Sequence, residues 1–155
     1  MKKKVAIGFF SLLFLIASTP LIAQDEEAIK AVIAKETSSF MNVDYKSWAD
    51  TWLKIPYAYR TYADATTISH IEGWEELNKT FSEYFKTAHP SNAEITNDWI
   101  EIRIYGNGAY VRFTQKMKDS IDLEETIQMR VLEKNDAGKW KIVCLGAIAK
   151  GVSNQ

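Results

Sequence analysis

A glutamate on the apolar face of a predicted helix is the residue that most strongly suggests chemistry. Apolar residues recur at helical spacing over residues 25–41 and form one stripe: Ile29, Val32, Ile33 and Phe40. Glu36 lies seven residues after Ile29 and four before Phe40, near the centre of that stripe. A buried carboxylate needs a cationic partner, a raised pKa or a wet cavity. Two interpretations stay open: pairing with Arg or Lys, and a role in a pocket.

Only two histidines supply a side chain that titrates near neutral pH. His70 lies in a short β-branched segment, Thr66–Ile71, which is predicted to be a strand. It is, with Glu36, a candidate catalytic base, and a purely structural role is the alternative. His89 directly precedes Pro90 and is interpreted as a surface or capping residue. The catalytic residues of any reaction are otherwise unknown from the sequence.

Patterns typical of metal and nucleophile sites are missing from the sequence. There is no Cys/His metal spacing, no Gly-rich phosphate loop and no nucleophile elbow. Cys144 is the single cysteine and lies on a predicted core strand, so it is expected to be a small buried hydrophobe. The sequence therefore predicts neither a metal ion nor a cofactor.

Aromatic residues with a polar end are frequent in the middle of the chain and suit a small-molecule pocket. Together with the two candidate bases they form the predicted ligand-binding set: Glu36, Trp52, Tyr57, Tyr59, His70, Trp74 and Trp99. Large aromatic residues at helical spacing are also typical of a core, and tyrosines are also typical of interfaces.

Four strands predicted between Ile95 and Lys150 form the sheet around which the helices pack. Ile100, Ile102 and Ile104 alternate with polar and aromatic residues, which indicates a half-buried strand. With Asn107-Gly108 as a two-residue loop, Ile104 would face Val111 and Arg103 would face Arg112. Two arginines opposite each other are expected to splay apart, to share a carboxylate such as Glu101, or to bind an anion.

The last predicted strand is apolar on both faces. Trp140, Ile142, Cys144 and Ile148 would form one face, and Val143, Leu145, Ala147 and Ala149 the other. A strand that is buried on both sides needs a second covering layer. In so short a chain we expect this layer to be a second copy, which gives a homodimer through the sheet.

The first 23 residues have the pattern of a secretory signal peptide. Lys2, Lys3 and Lys4 precede an apolar run from Val5 to Ala17, which is too short for an ordinary membrane helix, and small residues follow up to Ala23. An uncleaved N-terminal anchor is the alternative. We predict export to the periplasm or the medium, a single domain over residues 24–155, and no membrane association after cleavage.

The mature chain would be mildly acidic. Removing three lysines leaves 19 − 3 = 16 Lys and Arg against 20 Asp and Glu. Because the basic residues are not clustered, the composition argues against nucleic acid as a partner.

Four short segments, in this order and spacing, resemble the nuclear transport factor 2-like superfamily, on its polyketide cyclase-like (SnoaL-like) side. They are Glu26-Glu27-Ala28-Ile29, Asp44-Tyr45-Lys46-Ser47-Trp48, Ile71-Glu72-Gly73-Trp74 and Gly138-Lys139-Trp140-Lys141-Ile142. The resemblance covers the chain after the predicted signal peptide. It implies an α+β fold in which a cone-like curved antiparallel sheet wraps around N-terminal helices, with a pocket at the open end and frequent dimers.

The resemblance leaves the activity open, because the family includes isomerases, dehydratases, cyclases and members without known activity. Many members carry a histidine on the last strand, whereas Cys144-Leu145-Gly146 supplies no base here. The leading hypothesis is an exported protein that binds a small apolar or aromatic ligand. One alternative is an isomerase-, dehydratase- or cyclase-type enzyme in which Glu36 or His70 acts as the base. A second is a dimeric interaction module without chemistry.

Overall fold

The chain folds as three helices packed against one six-stranded sheet. The computed structural model describes residues 19–120 and 123–150. The helices are α1 (Thr19–Met41), α2 (Tyr45–Asp50) and α3 (Trp74–Thr87). The strands are β1 (Tyr59–Ala63), β2 (Ile68–Glu72), β3 (Glu94–Tyr105), β4 (Gly108–Lys118), β5 (Leu123–Lys134) and β6 (Trp140–Ala149). The predicted α+β architecture is confirmed.

Residues 1–18 of the predicted signal peptide lie outside the described residues, and its last five residues fall within α1. α1 therefore begins before Asp25, where the sequence pattern had predicted its start. Among the residues that the structure describes, no helix has both the length and the apolarity that a membrane crossing requires.

The sheet has the strand order β2-β1-β6-β5-β4-β3 and is antiparallel except where β1 runs parallel to β6. The hairpin of β1 and β2 thus extends the sheet on the β6 side. The inner face packs on the helices, and the core contains Ile29 and Ile33 of α1, Trp48 of α2, and Phe113 and Ile142 of the sheet.

The hairpin between β3 and β4 differs from its predicted register. Tyr105 pairs with Gly108, so the two-residue loop is Gly106-Asn107 and not Asn107-Gly108. Gly106 has a φ of 61°, a left-handed conformation that glycine adopts readily and that a tight hairpin needs. Arg103 consequently faces Tyr110, not Arg112.

The predicted shared carboxylate is nevertheless present. Glu101 faces Arg112 and accepts hydrogen bonds from Arg103 Nε at 2.6 Å and from Arg112 Nε at 3.2 Å. Glu101 therefore offsets the charge of both arginines on the outer face of the sheet.

Two β-bulges change which residues face inward. In β3 the register shifts between Trp99 and Glu101, so Ile100 is 57% exposed, and only Ile102 and Ile104 of the predicted isoleucine stripe pack against the core. An extra residue in one strand bends it and reverses the alternation beyond it.

The second bulge corrects the predicted faces of the last strand. Val131 pairs with Cys144 but Leu132 pairs with Ile142, which leaves Val143 as the extra residue. Before it Trp140 and Ile142 are buried, and after it Leu145 and Ala147 are buried. Cys144 is half-buried, not a fully buried core residue, and Ile148 is exposed.

α2 is short because its C-terminal residues pair with the sheet. The predicted N-cap is confirmed, since the Asp44 carboxylate accepts a hydrogen bond from the Ser47 backbone N–H at 3.0 Å. The helix ends at Asp50, before the predicted end at Leu53, because Thr51 O and Leu53 N hydrogen-bond with the backbone of Ile142.

Asp50 connects α2 with α1 and β6. Its carboxylate accepts hydrogen bonds from Lys35 Nζ at 2.9 Å and from Lys141 Nζ at 3.2 Å. The hydrogen bond from Lys35, followed by that from Lys141, lowers the pKa of Asp50 from 3.8 to about 2. The Asp50 side chain is 63% exposed, so water and salt weaken this contribution to stability.

The substitution Asp50→Asn tests this connection. Because the pKa of Asp50 is lower in the folded protein, its charge stabilises the fold above pH 3.8, and that stabilisation is lost as the pH falls through about 2. We expect Asp50→Asn to lower the free energy of unfolding at pH 7 by at most about 1 kcal/mol, with the difference closing between about pH 4 and pH 2. Urea titrations across this range measure it. Asp136→Asn, in the exposed turn before β6, is the control, and a gap that stays constant down to pH 2 contradicts the charge-based explanation.

Candidate functional site

A partly open cavity of about 120 Å³ lies between α1 and the inner face of the sheet, and we call it the internal cavity. Its lining combines apolar and polar side chains: Glu36, Thr37, Phe40, Met41, Arg60, Tyr62, Gln115, Met117, Glu124, Thr126, Gln128, Arg130, Leu145 and Ala147. Two other cavities, of about 530 Å³ each, are surface grooves about as open to solvent, and they contain no charged residue as buried as Glu36 and Arg130. The internal cavity is therefore the candidate site.

A buried ion pair between α1 and β5 forms one wall of the cavity. Glu36 is 5% exposed and Arg130 is 2% exposed, and Arg130 Nη2 lies 3.5 Å from Glu36 Oε2. The other carboxylate oxygen of Glu36 accepts a hydrogen bond from Trp48 Nε1 at 3.1 Å. The helical position that made Glu36 conspicuous in the sequence thus gives it a cationic partner and also a place in the cavity lining.

A chain of polar side chains extends the ion pair along β5. Arg130 Nη1 donates to Gln128 Oε1 at 2.7 Å, and Gln128 Nε2 donates to Thr126 Oγ1 at 2.6 Å. On the adjacent strand, Gln115 Nε2 donates to Thr37 Oγ1 of α1 at 3.2 Å. These buried groups satisfy one another, as polar groups removed from water usually do, with the exception of Arg130 Nε.

Along this part of β5 the inward-facing side chains are therefore polar and the outward-facing ones are apolar. Thr126, Gln128 and Arg130 are at most 5% exposed, whereas Ile127 and Met129 are 48% and 37% exposed. Alternation alone does not say which set faces inward. The sequence analysis accordingly missed Gln128 and Arg130 as site residues. The available signal was that β5 places three polar residues on one face of a strand that is central in the sheet.

Arg60 of β1 brings a second guanidinium to the cavity. In the part of the chain that the structure describes, the Arg60 side chain has neither an ion pair within 4 Å nor a hydrogen bond. Its guanidinium carbon lies 5.0 Å from the centre of the Phe81 ring. Burial lowers the pKa of Arg60, and the charge on Glu36 partly opposes that shift.

Burial also lowers the pKa of Arg130, again against the favourable charge of Glu36, and the charge of Arg60 lowers it further. Both guanidinium groups remain protonated near neutral pH because the ordinary pKa of arginine is so high. Tyr62 and Glu124 lie beside the two arginines on the cavity wall, and burial and then the Glu124 charge raise the pKa of the Tyr62 hydroxyl.

The structure does not bring the predicted ligand-binding residues together around one cavity. Only Glu36 lines the internal cavity. His70 is exposed on the outer face of β2, with its ring 6.4 Å from that of Tyr59 on β1. Tyr57 is exposed in the loop before β1 and hydrogen-bonds Glu133.

The three tryptophans of the predicted set belong to the core and its margins. Trp52 is 2% exposed, and its indole N–H has no hydrogen-bond partner among the described residues. Trp74 packs 6.4 Å from Trp48 and lines one of the surface grooves. Trp99 is half-buried against Phe113, with 4.9 Å between the ring centres. They thus support the fold around the cavity, which they do not line.

The arrangement suits binding better than proton transfer. Both carboxylate oxygens of Glu36 already have donors, and His70 is on the opposite face of the sheet, so the convergence of base, histidine and tyrosine that catalysis would need is not formed. No group of three or more His, Cys, Asp or Glu side chains within residues 19–120 and 123–150 could hold a metal ion.

The fold is shared with several solved bacterial structures at low sequence identity. One is an NTF-2 like protein of unknown function from Shewanella oneidensis MR-1, with 16% identity, a TM-score of 0.61, and coverage of 80% of this chain and 98% of that one. Another is a ketosteroid isomerase-like protein from Erwinia carotovora atroseptica SCRI1043, with 14% identity, a TM-score of 0.57, and coverage of 79% and 94%.

A third similar structure is a putative dehydratase from the NTF2-like family from Streptomyces avermitilis, with 14% identity, a TM-score of 0.61, and coverage of 83% and 98%. No family model matches the sequence, and no curated protein matches it. The structural matches span nearly all of the similar chains, and they confirm the architecture that the sequence segments implied. The chain has the nuclear transport factor 2-like fold.

Proposed function

We propose that this protein is an exported small-molecule-binding protein whose ligand occupies the internal cavity. The observation that carries the proposal is a cavity whose lining contains the buried Glu36–Arg130 ion pair together with apolar side chains of α1 and of the sheet. Pockets that bind small molecules typically combine an apolar lining with a few fixed polar groups. A cavity of about 150 Å³ accepts a molecule the size of benzene, so 120 Å³ suits a ligand of about one ring.

An isomerase-, dehydratase- or cyclase-type reaction is the weaker alternative. Its support is the fold shared with a ketosteroid isomerase-like protein and a putative dehydratase. Fold alone does not specify activity. The engaged carboxylate of Glu36 and the outward position of His70 both argue for binding without turnover.

Dimerisation through the outer face of the sheet is a second part of the proposal. Ile148 of β6 and Ile127 of the adjacent strand β5 are exposed there and pair with each other, and Met129 is exposed on the same face of β5. Ile68 of β2 is also exposed, one strand beyond Ile148, with β1 between them. A contiguous exposed apolar patch is typical of a protein interface. A second copy would cover this face while leaving the internal cavity unchanged.

Native mass spectrometry of the protein released gently from its own cells tests export and binding together. We expect a chain that begins at about Gln24, in a dimer that carries a small molecule which denaturation releases. Recombinant protein expressed without the first 23 residues and dialysed under mild denaturation is the control. An uncleaved chain argues against export, and a protein that never retains or takes up a small molecule argues against the binding function.

The substitution Ala147→Leu should block the cavity without unfolding the protein. Ala147 of β6 is 5% exposed and lines the cavity, so a larger apolar side chain can extend into the empty volume. Filling a cavity commonly stabilises a protein by about 0.5–2 kcal/mol. We expect an equal or higher melting temperature together with loss of the retained molecule. Ala137→Leu, in the exposed turn before β6, is the matched control and should retain it. Undiminished binding by Ala147→Leu would place the ligand elsewhere.

The substitution Ile148→Glu should separate the dimer. Ile148 is 55% exposed in one chain, so a charge there costs little in the monomer but is costly in an apolar interface. We expect sedimentation velocity to give a dimer for the wild type and a monomer for Ile148→Glu, with the melting curve cooperative in both. Tyr105→Glu, which places the same charge at an exposed residue beside the hairpin turn of β3, is the control. A wild type that sediments as a monomer refutes the interface.

A further inference from the structure

From the charges around the cavity we infer that its ligand is a small monocarboxylate, whose carboxylate group is bound by Arg60 and by the free Nε–H of Arg130. This inference rests on the proposed binding function and names the class of ligand. It depends on three observations: an unpaired guanidinium, an unsatisfied buried donor, and an excess of one positive charge.

Arg60 provides the unpaired guanidinium. It lines the cavity, is half-buried, and has no carboxylate partner within 4 Å among the described residues. Its contact with the Phe81 ring is a cation–π contact, which leaves its N–H donors available. The planar fork of an arginine matches the two oxygens of a carboxylate, and such paired hydrogen bonds are among the strongest in proteins.

Arg130 provides the unsatisfied donor. Its Nη1 donates to Gln128 Oε1 and to the Met129 carbonyl oxygen, and its Nη2 lies beside Glu36. Its Nε is buried and has no acceptor among the described residues. A buried donor without an acceptor is unfavourable, and a ligand oxygen in the cavity would supply one.

The charge balance selects a monoanion. Of the four charged side chains that line the cavity, Glu124 is exposed to water, which screens its charge, whereas Glu36 and Arg130 are buried and Arg60 is half-buried. These three less exposed groups sum to one positive charge. A single carboxylate neutralises it. A dianion such as phosphate would leave an excess negative charge beside Glu36 and near Glu124 at the same cavity.

The apolar part of the lining provides a surface for an apolar body of the ligand. Phe40, Met41, Met117 and Leu145 line the cavity and offer no strong hydrogen-bonding side chain. The volume of about 120 Å³ limits this body to roughly one ring or a short chain. Small aromatic and short aliphatic monocarboxylates fit both constraints.

Calorimetric titration of the dialysed protein with benzoate and with its neutral isostere benzamide tests the inference. Butyrate and butyramide form a second, smaller pair. We expect each carboxylate to bind about tenfold to a hundredfold more tightly than its amide, because a charged acceptor strengthens the hydrogen bonds from the two arginines. An amide that binds as tightly as its carboxylate overturns the inference while leaving the cavity a binding site.

Three variants assign the preference to the cavity. Arg60→Met should abolish the preference for benzoate and leave the affinity for benzamide unchanged, whereas a merely structural role of Arg60 would weaken both. Arg60→Lys keeps the charge without the fork and should retain a reduced preference. Arg112→Met, on the outer face of β4, removes the same charge away from the cavity and should change neither affinity. Loss of the preference in Arg112→Met as well would make it a long-range charge effect and would refute the assignment.

The outcomes separate this inference from the function on which it rests. If Arg60→Met does not fold, the comparison of acid with amide in the wild type still tests whether the cavity prefers a carboxylate. A neutral molecule retained from the cells would support the binding function and overturn the monocarboxylate. If no probe binds and the protein from its own cells retains nothing, both are overturned.

Discussion

The buried contact between Glu36 and Arg130 is the constraint on which the interior of this protein depends. It joins the first helix to a central strand, and the Trp48 hydrogen bond adds the second helix to the same carboxylate. Removing one partner of such a pair typically costs about 3–5 kcal/mol, because the remaining charge stays buried. Replacing both partners by apolar side chains is often neutral, so stability alone does not account for the pair. What the pair provides is a fixed pair of opposite charges in the wall of a cavity that polar and apolar side chains line together.

Around this pair the sheet has an unusual distribution of polarity. Its inner surface at β5 carries threonine, glutamine and arginine, and its outer surface carries isoleucine and methionine. The bulge opposite β5, at Val143, lets β6 contribute Ile142 to the core and Leu145 and Ala147 to the cavity. β6 thus contributes side chains both to the hydrophobic core and to the cavity. The helices contribute Trp48, Phe81 and their neighbours to the same core.

Much of this arrangement was predictable from the sequence, and the failures have physical reasons. The helical stripe identified Glu36 as a buried carboxylate, and the four long strands followed from period-2 alternation. The bulges at Ile100 and Val143 were not predicted. The bulge at Val143 left a mark, a strand that is apolar on both faces, but that pattern is equally typical of a strand covered on both sides. His70 was singled out as a possible base on residue type alone. Its position on an edge strand, facing outward, depends on pairing between distant segments.

Arg130 shows that local patterns can also miss a site residue, because it is buried although hydrophobicity alone predicts that it is exposed. Its strand alternates regularly, and burial of the isoleucine and methionine set is the arrangement that hydrophobicity alone favours. The true orientation is specified by Glu36, a residue far away along the chain, so reasoning from local pattern could not recover it. Arg60 was not among the predicted site residues, and its relation to the cavity emerged from the parallel pairing of β1 with β6.

The inverted polarity of β5 has a consequence for how the chain finds its native state. A slip of one residue would turn Ile127 and Met129 inward and Arg130 outward, and by hydrophobic burial alone that arrangement competes with the native one. In the slipped sheet Glu36 would lose its ion pair with Arg130. The ion pair therefore discriminates between two registers of one strand. Because its members are distant in sequence, this discrimination depends on a non-local contact, a kind that forms more slowly than contacts within a hairpin.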